Sequence, residues 1–489
     1  MNLTIKRSTL IAHSCLLKHL VRRGTSKIAV EVEGDILNKL ENEQLKPRKH
    51  PGVIKLSHIE LPINIAKALQ KVVGDYPVKA LLEDTKKLNR FLSKRHPPPE
   101  PDEINMKMSR IIEEVNTVMP IEKISELNEV EKRKWQQRCD NLVRKRFSQR
   151  TYAWKPFVYG PYEAIVYALG RGAKEFAALK RILQEIATRD PDFKPNSYFD
   201  FGSGVGTGMW AVSTLWKSTL YEYFNVDSSR DMNDLSELIL RDGEENHEIR
   251  LRNVFYRQFL PGLETKYDLV VCSYSLFELP SAKHRQDVLL NLWAKCDGYL
   301  IVVEEGTRRG SQLVNAARDL ILSLDSPKLV GHIFAPPRFL LKCPHDKVCP
   351  RFSNLNDRTP CNFETLYEEP QQCKISQSSG VACYSYIILK KGLPQEANLS
   401  WPRIIRPTLV RSRHAICRMC TSEGKLQEVI FTQSKHGRFA YRCAKASRWG
   451  DRLPITIGEP FSTKEMSPHS TESKENTLTN SLDDRSRPI

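Results

Sequence analysis

The residues with the clearest chemical meaning form a glycine-rich turn at 202–208. A strand pattern at 198–201 leads into this turn, and a helical pattern follows it. Gly202, Gly204 and Gly206 stand where the backbone must turn sharply and where a ligand can approach the chain without meeting a Cβ atom. The turn therefore predicts a binding site for a cofactor with a nucleoside part.

Two carboxylates flank this turn in the predicted sheet. Asp200 lies near the end of the first strand pattern, and Asp227 follows a second one at 222–226. A carboxylate in the second position can accept hydrogen bonds from both ribose hydroxyls. Further strand patterns at 267–273 and 298–305 alternate with helical patterns, which predicts βαβ units on a parallel sheet.

This order and spacing of strands resembles the class I S-adenosylmethionine methyltransferases. The resemblance implies that S-adenosylmethionine is the cofactor, with Asp200 near its methionine amino group and Asp227 on its ribose. A nicotinamide-binding Rossmann protein is the alternative, although it would more usually place its glycine motif at the start of a domain. The predicted cofactor-binding residues are Asp200, Gly202, Gly204, Gly206 and Asp227.

The sequence assigns no catalytic residue to this domain. Amino-methylating enzymes commonly carry an Asn- or Asp-Pro-Pro-aromatic loop after the fourth strand, where this chain has Ser273-Tyr274-Ser275-Leu276. Cys272 lies inside a predicted buried strand, as a packed core thiol would. Methyl transfer needs little beyond proximity and orientation, so the sequence leaves enzymatic activity undecided.

Cysteines are crowded behind this domain, with eight of the twelve between 343 and 443. No secretory signal is visible, so a disulfide framework is not expected. Four thiolates from separated segments can enclose a tetrahedral zinc ion or a [4Fe–4S] cluster. The pair Cys417 and Cys420 has the spacing of a zinc knuckle. Spacing alone leaves an iron–sulfur cluster, zinc and plain buried thiols open.

Positive charge is concentrated in the same part of the chain. The whole protein has a formal net charge of +17, which favours a polyanionic partner. The segment 401–449 has eleven Lys and Arg against Glu423 and Glu428, with Tyr441 and Trp449 among them. This pattern indicates an RNA-binding β module, in which cations neutralise phosphates; the alternative is an ordinary solvated face.

The sequence divides into five stretches, which differ in composition and in predicted structure. The first is basic, has no acid before Glu31 and can form an amphipathic helix, which is typical of a mitochondrial transit peptide. The last is polar and low in complexity, which predicts disorder. No apolar stretch approaches the roughly 20 residues of a membrane span, and nothing in the sequence indicates a homo-oligomer. The predicted bounds are 1–28 for the transit peptide, 29–190 for a helical region, 191–335 for the Rossmann domain, 336–460 for a Cys-rich, β-rich basic module and 461–489 for the tail.

Several motifs, in their order, make a more specific resemblance. They are Cys343-Pro-His-Asp-x-x-Cys349-Pro, Val302-Val-Glu-x-Gly306-Thr307-x-x-Gly310, Trp401-Pro402-Arg403-Ile-x-Arg406-Pro407 and Ser447-Arg448-Trp449-Gly450-Asp451. Over about 150–455 the chain resembles the mitochondrial methyltransferase-like protein 17 family of small-subunit assembly factors. The resemblance implies a matrix protein with a [4Fe–4S] cluster and a Rossmann domain able to hold S-adenosylmethionine.

The same resemblance implies a set of ligands and a partner. The ligands carried over are Cys343, Cys349, Cys361 and Cys420, with Cys417 as the neighbouring alternative to Cys420. The partner is the immature mitochondrial small ribosomal subunit and its rRNA. An assembly factor is the favoured function, because the catalytic loop is missing and the basic surface is prominent. An active rRNA methyltransferase is the alternative.

Overall fold

The computed structural model of the protein describes residues 29–54, 58–74, 76–119, 128–151, 154–262, 265–324, 330–335, 359–370, 379–393, 401–421 and 425–458. Residues 30–456 belong to one compact unit. The transit peptide predicted at 1–28, the tail predicted at 461–489, and Cys343 and Cys349 lie outside the described residues. No helix within these ranges is long and apolar enough to cross a membrane.

The N-terminal region is helical, as predicted. Its longest helix, α6, is buried along most of its length, because it packs between the sheet and the preceding helices. An Asn128–Glu131 capping box starts α5, which forms a hairpin with α4 around Ile111, Val115 and Cys139. The elements are β1 (Ala29–Val32), α1 (Gly34–Glu41), α2 (Ile63–Val73), α3 (Val78–Ser93), α4 (Pro101–Val118), α5 (Glu129–Arg150) and α6 (Pro161–Arg189).

The central domain is built on a sheet in the order β4-β3-β2-β5-β6-β9-β7, with β8 also pairing to β9. The strands from β4 to β6 are parallel, and β9 runs antiparallel to β6, β7 and β8. The elements are β2 (Ser197–Phe201), α7 (Thr207–Trp216), β3 (Glu222–Val226), α8 (Arg230–Leu240), β4 (Val254–Arg257), β5 (Tyr267–Ser273), α9 (Ala282–Lys295), β6 (Cys296–Glu305), α10 (Arg308–Leu322), β7 (Gly331–Ala335), β8 (Phe363–Tyr367) and β9 (Gly380–Lys391).

This arrangement confirms the predicted α/β class, a Rossmann domain of the class I methyltransferase type. Helices cover both faces of the sheet: Leu183 and Trp210 belong to the apolar core on one side, and Leu292 and Trp293 to that on the other. The sheet does not stop at residue 335, the predicted boundary of the domain. It takes β8 and β9 from the stretch assigned to the Cys-rich module.

A smaller sheet and one helix follow. The antiparallel β12 pairs with β10 and β11 and, in a seven-residue register, with β13. The Thr432 side chain accepts a hydrogen bond from the Lys435 N–H at the start of the helix, and Gly437, at φ 78°, kinks it. The elements are β10 (Arg403–Ile404), β11 (Leu409–Val410), β12 (His414–Cys420), β13 (Leu426–Thr432), α11 (Gln433–Ala446) and β14 (Ile455–Gly458).

Candidate functional site

The predicted cofactor turn lies between β2 and α7. Gly202, Gly204 and Gly206 have φ values of 70°, 52° and 88°, a region that only glycine enters at low cost. A Cβ atom at Gly202 would collide with the Ser275 hydroxyl, and one at Gly206 would lie 2.6 Å from the Ser236 hydroxyl. The turn is therefore built around glycine, as the sequence predicts.

Asp227 joins this turn to the end of β3. Its Oδ2 accepts a hydrogen bond from the Gly204 N–H at 2.8 Å, and its Oδ1 accepts one from the Ser229 N–H at 2.9 Å. Burial raises the pKa of Asp227, although these two hydrogen bonds oppose the rise. The carboxylate thus lies beside the turn, at the position predicted for a ribose contact.

Asp200 is fully buried below the first turn of α7. Its Oδ2 accepts a hydrogen bond from the Tyr198 hydroxyl at 2.7 Å, while its Oδ1 has no hydrogen-bond partner among the described residues. Burial raises the pKa of Asp200 to about 7. A buried oxygen without a donor suits the cationic amino group that the resemblance assigns to it.

Aromatic side chains occupy the space next to the turn. The ring of Tyr167, on α6, lies 3.9 Å from the position of a Cβ on Gly204, and the Tyr159 ring meets it edge-on at 5.5 Å. A cavity of about 20 Å³, which Arg171 and Tyr274 also line, lies beside these rings, and neither a glycine of the turn nor Asp200 or Asp227 is among its lining residues. The turn and its two carboxylates fit S-adenosylmethionine, and Tyr167 is the side chain that lies against the turn at Gly204.

A buried ionic network lies at the end of β6. Arg171 pairs with Glu305 and, at 2.9 Å, with Glu175, and Lys174 lies 3.2 Å from Glu305. The Arg171 guanidinium also lies over the Tyr274 ring, 5.1 Å from its centroid. Burial opposes the ionisation of Glu305, but Arg171 and Lys174 outweigh it and lower its pKa. The sequence shows the carboxylates that end β6 but gives no signal for their partners on α6.

The loop after β5, where a catalytic group is expected, is held in place from two sides. The Glu304 carboxylate accepts the Leu276 N–H at 2.8 Å, and the Trp154 indole donates to the Phe277 carbonyl at 3.1 Å. Tyr274 has a φ of 57° and a partly buried ring. Burial raises the pKa of Glu304 to about 8. These groups hold the loop together, and the structure identifies no catalytic residue among them.

The predicted cluster ligands are described only in part. Within the described ranges, no group of three or more His, Cys, Asp or Glu side chains is placed to hold a metal ion; Cys343 and Cys349 lie outside those ranges. Cys361 is partly exposed and Cys420 is buried. The Arg406 guanidinium connects their segments, because it donates to the Asn362 side chain at 2.9 Å and to the Pro360 carbonyl at 3.0 Å.

Strand geometry separates Cys420 from Cys417. Successive side chains of a strand point to opposite faces, so these two cysteines lie on different faces of β12. The Cys417 sulfur lies 3.9 Å from both the Thr408 hydroxyl and the Ala444 carbonyl, between the sheet and α11. Burial raises its pKa to about 12. Cys417 is therefore a packed thiol, and Cys420 lies on the face away from α11.

Of the eleven cations counted in 401–449, nine are exposed. Arg403 and Arg406 are the exceptions, so the basic run predicted to contact RNA is smaller by these two residues. Arg403 is buried against Glu185, and Arg406 is occupied with the 360–362 segment and with Trp449, whose ring centroid is 5.3 Å from its guanidinium. Tyr441 is also buried. The exposed cations are Arg411, Arg413, Arg418, Lys425, Lys435, Arg438, Arg442, Lys445 and Arg448.

Several of these cations share one face of α11. Arg438, Arg442 and Lys445 follow the kink at Gly437 with spacings of four and three residues, which places them on one side of a helix. The opposite side, including Ala440 and Cys443, is buried against the sheet. No acidic residue occurs in 433–448. We call Arg438, Arg442 and Lys445 the α11 stripe.

Comparisons with known proteins agree with the resemblance seen in the motifs. Residues 161–454 match the family model described as mitochondrial small ribosomal subunit Rsm22. The human mitochondrial ribosome assembly protein METTL17 is 35% identical over 430 residues, which cover 87% of this chain and 89% of that protein. The mitochondrial ribosome assembly protein RSM22 of Saccharomyces cerevisiae is 21% identical, over 56% of this chain and 64% of its own length.

Solved structures give weaker likenesses. Magnesium protoporphyrin IX methyltransferase from Synechocystis PCC 6803, with bound SAH, overlaps 47% of this chain and 87% of its own, at 12% identity and a TM-score of 0.29. A SAM-dependent methyltransferase from Aquifex aeolicus overlaps 31% of this chain and 75% of its own, at 14% identity and a TM-score of 0.24. Overlaps of this size carry no conclusion about activity.

Proposed function

Because this chain belongs to the mitochondrial small ribosomal subunit Rsm22 family, we propose that it is a mitochondrial assembly factor that binds the small ribosomal subunit and its rRNA. Its relatives in human and yeast are named as mitochondrial ribosome assembly proteins. The proposal places the protein in the mitochondrial matrix, where that subunit is made, and gives it a role in supporting mitochondrial translation.

The α11 stripe is the observation that carries the RNA-binding part of this proposal. Three cations on one helix face, with no acid in that helix, can contact successive phosphates of an RNA strand. The buried side of the helix fixes the stripe on the sheet, so little backbone order has to be gained on binding. The surface uses charge rather than aromatic stacking, because Tyr441 is buried and Trp449 lies against Arg406.

The test is co-sedimentation with the mitochondrial small subunit. Arg438→Glu/Arg442→Glu should lose the association, because two contacts become repulsions. Lys67→Glu/Lys79→Glu makes the same charge change at two exposed lysines of α2 and α3 and should sediment as the wild type does. Equal sedimentation of both double variants would contradict binding through the stripe.

The second part of the proposal is a [4Fe–4S] cluster held by Cys343, Cys349, Cys361 and Cys420. In support, Arg406 joins the segment of Cys361 to the sheet that bears Cys420, and Cys417 lies on the other face. Thiolates are the ligands that such clusters require. A cluster would supply the cross-link that fixes this part of the chain. It would make the basic module depend on iron–sulfur supply.

Anaerobic purification tests this part directly. The wild type should be brown, with bound iron and sulfide, and Cys420→Ser should lose both. Cys383→Ser is the matched control: its thiol is already used, accepting a hydrogen bond from Asn362 at 3.0 Å. A colourless wild type that contains zinc would overturn the cluster, and loss of iron from Cys383→Ser would change the ligand set.

An active rRNA methyltransferase is the alternative, favoured by the glycine turn and by the placement of Asp227. Isothermal titration with S-adenosylmethionine, for the wild type and Asp227→Ala, separates the two functions. The assembly-factor proposal expects Asp227→Ala to sediment with the small subunit. The methyltransferase proposal expects a methylated nucleotide of the rRNA that disappears in this variant.

A further inference from the structure

A cleft of about 530 Å³ opens between the end of α3 and the start of α10. Lys94, His96, Arg308 and Arg309 line it, and none of the described residues around it is acidic. We infer that this cleft binds phosphates of an RNA backbone and is a contact separate from the α11 stripe. The inference rests on the proposed function only in taking RNA as the polyanion.

One wall is the turn between β6 and α10. A Cβ atom at Gly310 would collide with the Glu305 carbonyl oxygen, and one at Gly306 would collide with the Cys383 thiol. The Thr307 hydroxyl accepts the Gly310 N–H at 3.1 Å and caps the helix. This close packing fixes the backbone from which Arg308 and Arg309 project. It also gives a purpose to the 302–310 motif, which the cofactor turn does not explain.

The other wall is the segment after α3, anchored by the buried Arg95. Its guanidinium pairs with Glu278 and donates to the Lys155 carbonyl at 3.4 Å. Lys94 and His96, on either side of this anchor, remain exposed. The Arg309 Nε lies 3.2 Å from the His96 Nδ1, so the two walls meet at this point.

The charged groups that act on His96 at the cleft are cations. Burial lowers the pKa of His96, and Arg309 and Lys107 lower it further. Both of these charged neighbours are cations, so an anion placed between the walls would relieve their repulsion. The N-terminus of α10 adds a partial positive charge on the same side.

The shape favours a strand over a free anion. Lys94 and Arg309 are exposed cations on opposite rims of an open cleft, His96 is exposed beside them, and Arg308 is partly buried. A phosphate-sized ion is better held by groups that enclose it, whereas cations spread along two rims suit a backbone that passes between them.

Binding of a labelled single-stranded RNA, followed by fluorescence anisotropy across a salt series, tests the cleft in the full-length protein. Lys94→Ala/Arg309→Ala removes two phosphate contacts. The plot of log K against log salt has a negative slope, and its magnitude should decrease by about 1.4, at roughly 0.7 per contact. Lys67→Ala/Lys79→Ala, the matched control outside the cleft, should keep the wild-type slope. Arg438→Ala/Arg442→Ala reports on the α11 stripe in the same assay. Thermal unfolding checks that each variant is folded.

Each outcome decides the point. A salt dependence that is shallower in the cleft variant than in its control supports RNA binding in the cleft, even if the stripe variant binds as the wild type does. A salt dependence equal to that of the control overturns RNA binding in the cleft. If the stripe variant then shows a shallower salt dependence, the proposed function still stands. A wild type that binds no RNA overturns both. Binding of inorganic phosphate that is lost in the cleft variant, together with an RNA slope in that variant equal to that of the control, would assign the cleft to a free anion and overturn its RNA assignment.

Discussion

Arginine side chains have opposite environments at the carboxyl edge of the large sheet and on the outer face of α11. At the sheet, Arg171 is buried, paired with Glu175 and Glu305, and lies over an aromatic ring. On α11, Arg438 and Arg442 are exposed on a helix without acids. A buried arginine needs a carboxylate to offset its desolvation, whereas an exposed one keeps its water until a partner replaces it.

This contrast separates a closed region, at the carboxyl edge of the sheet, from an available region on α11. Charge at the end of β6 is paired inside the fold, where Arg171 and Lys174 offset Glu305. The cations of α11 are exposed and can contact a partner. A second buried network connects the two regions, because Glu185 of α6 pairs with Arg403 of β10 and, at 2.8 Å, with Arg189.

The largest expected effect comes from this connecting network. Burial alone would raise the pKa of Glu185, but Arg403 and Arg189 lower it well below its usual range. Glu185→Gln removes their shared counter-charge, and breaking a buried pair costs about 3–5 kcal/mol. Urea unfolding followed by tryptophan fluorescence measures the loss.

The matched change on the exposed side is Arg438→Ala. Surface substitutions away from such networks usually stay within about 0.5 kcal/mol, so its free energy of unfolding should equal that of the wild type. If Glu185→Gln cost no more than Arg438→Ala, the contrast between a locked and an available region would fail.

A second test uses pH and sharpens the account of the closed region. The folded pKa of Asp200 is about 7, above its unfolded value near 3.8. The folded state therefore keeps a proton that the unfolded state has lost. The associated stability is present in full below the unfolded pKa and disappears as the pH rises through about 7.

Between pH 5 and pH 9 this single group accounts for a loss on the order of 3 kcal/mol. Asp200→Asn should flatten that part of the profile, and the exposed Asp287→Asn should not. Thermal unfolding across the range measures both. A profile for Asp200→Asn as steep as that of the wild type would show that Asp200 is already ionised at pH 5 in the folded protein.

The sequence predicts those parts of the fold whose contacts are close together in the chain, and it misses those whose partners are far away. The strands β2 to β6 are predicted correctly, because their signals are local, and the glycine turn and Asp227 lie between them where the sequence places them. Residues 380–391 carry a strand pattern too, but sequence places it in the later module. Its partners, β6 and β7, are about 50 to 90 residues away in the chain, and no local pattern reveals them.

The candidate sites show the same limit. In the sequence Arg403 belongs to a basic run and is counted with it. In the structure it is buried and pairs with Glu185, more than two hundred residues earlier in the chain. Tyr167 lies against the glycine turn from α6, a helix whose own periodicity gives no sign of this contact. Alternation along β12 does place Cys417 and Cys420 on different faces, so that distinction could be drawn as soon as the strand was known.

The smallest expected effect comes from an exposed pair that repeats the chemistry of Arg403 and Glu185. Arg418 and Glu428 lie 2.7 Å apart on facing strands, with side-chain exposures of 51% and 34%. Exposed pairs contribute about 0.2–1 kcal/mol, and a double-mutant cycle with Arg418→Ala and Glu428→Ala measures the coupling energy between the two side chains. Arg418 shares its strand face with Cys420, so the value also reports on what covers that face. A coupling energy above about 1 kcal/mol would exceed the range of exposed pairs. It would mean that this face is screened from water in the folded protein, and that the available region is smaller than the exposed cations indicate.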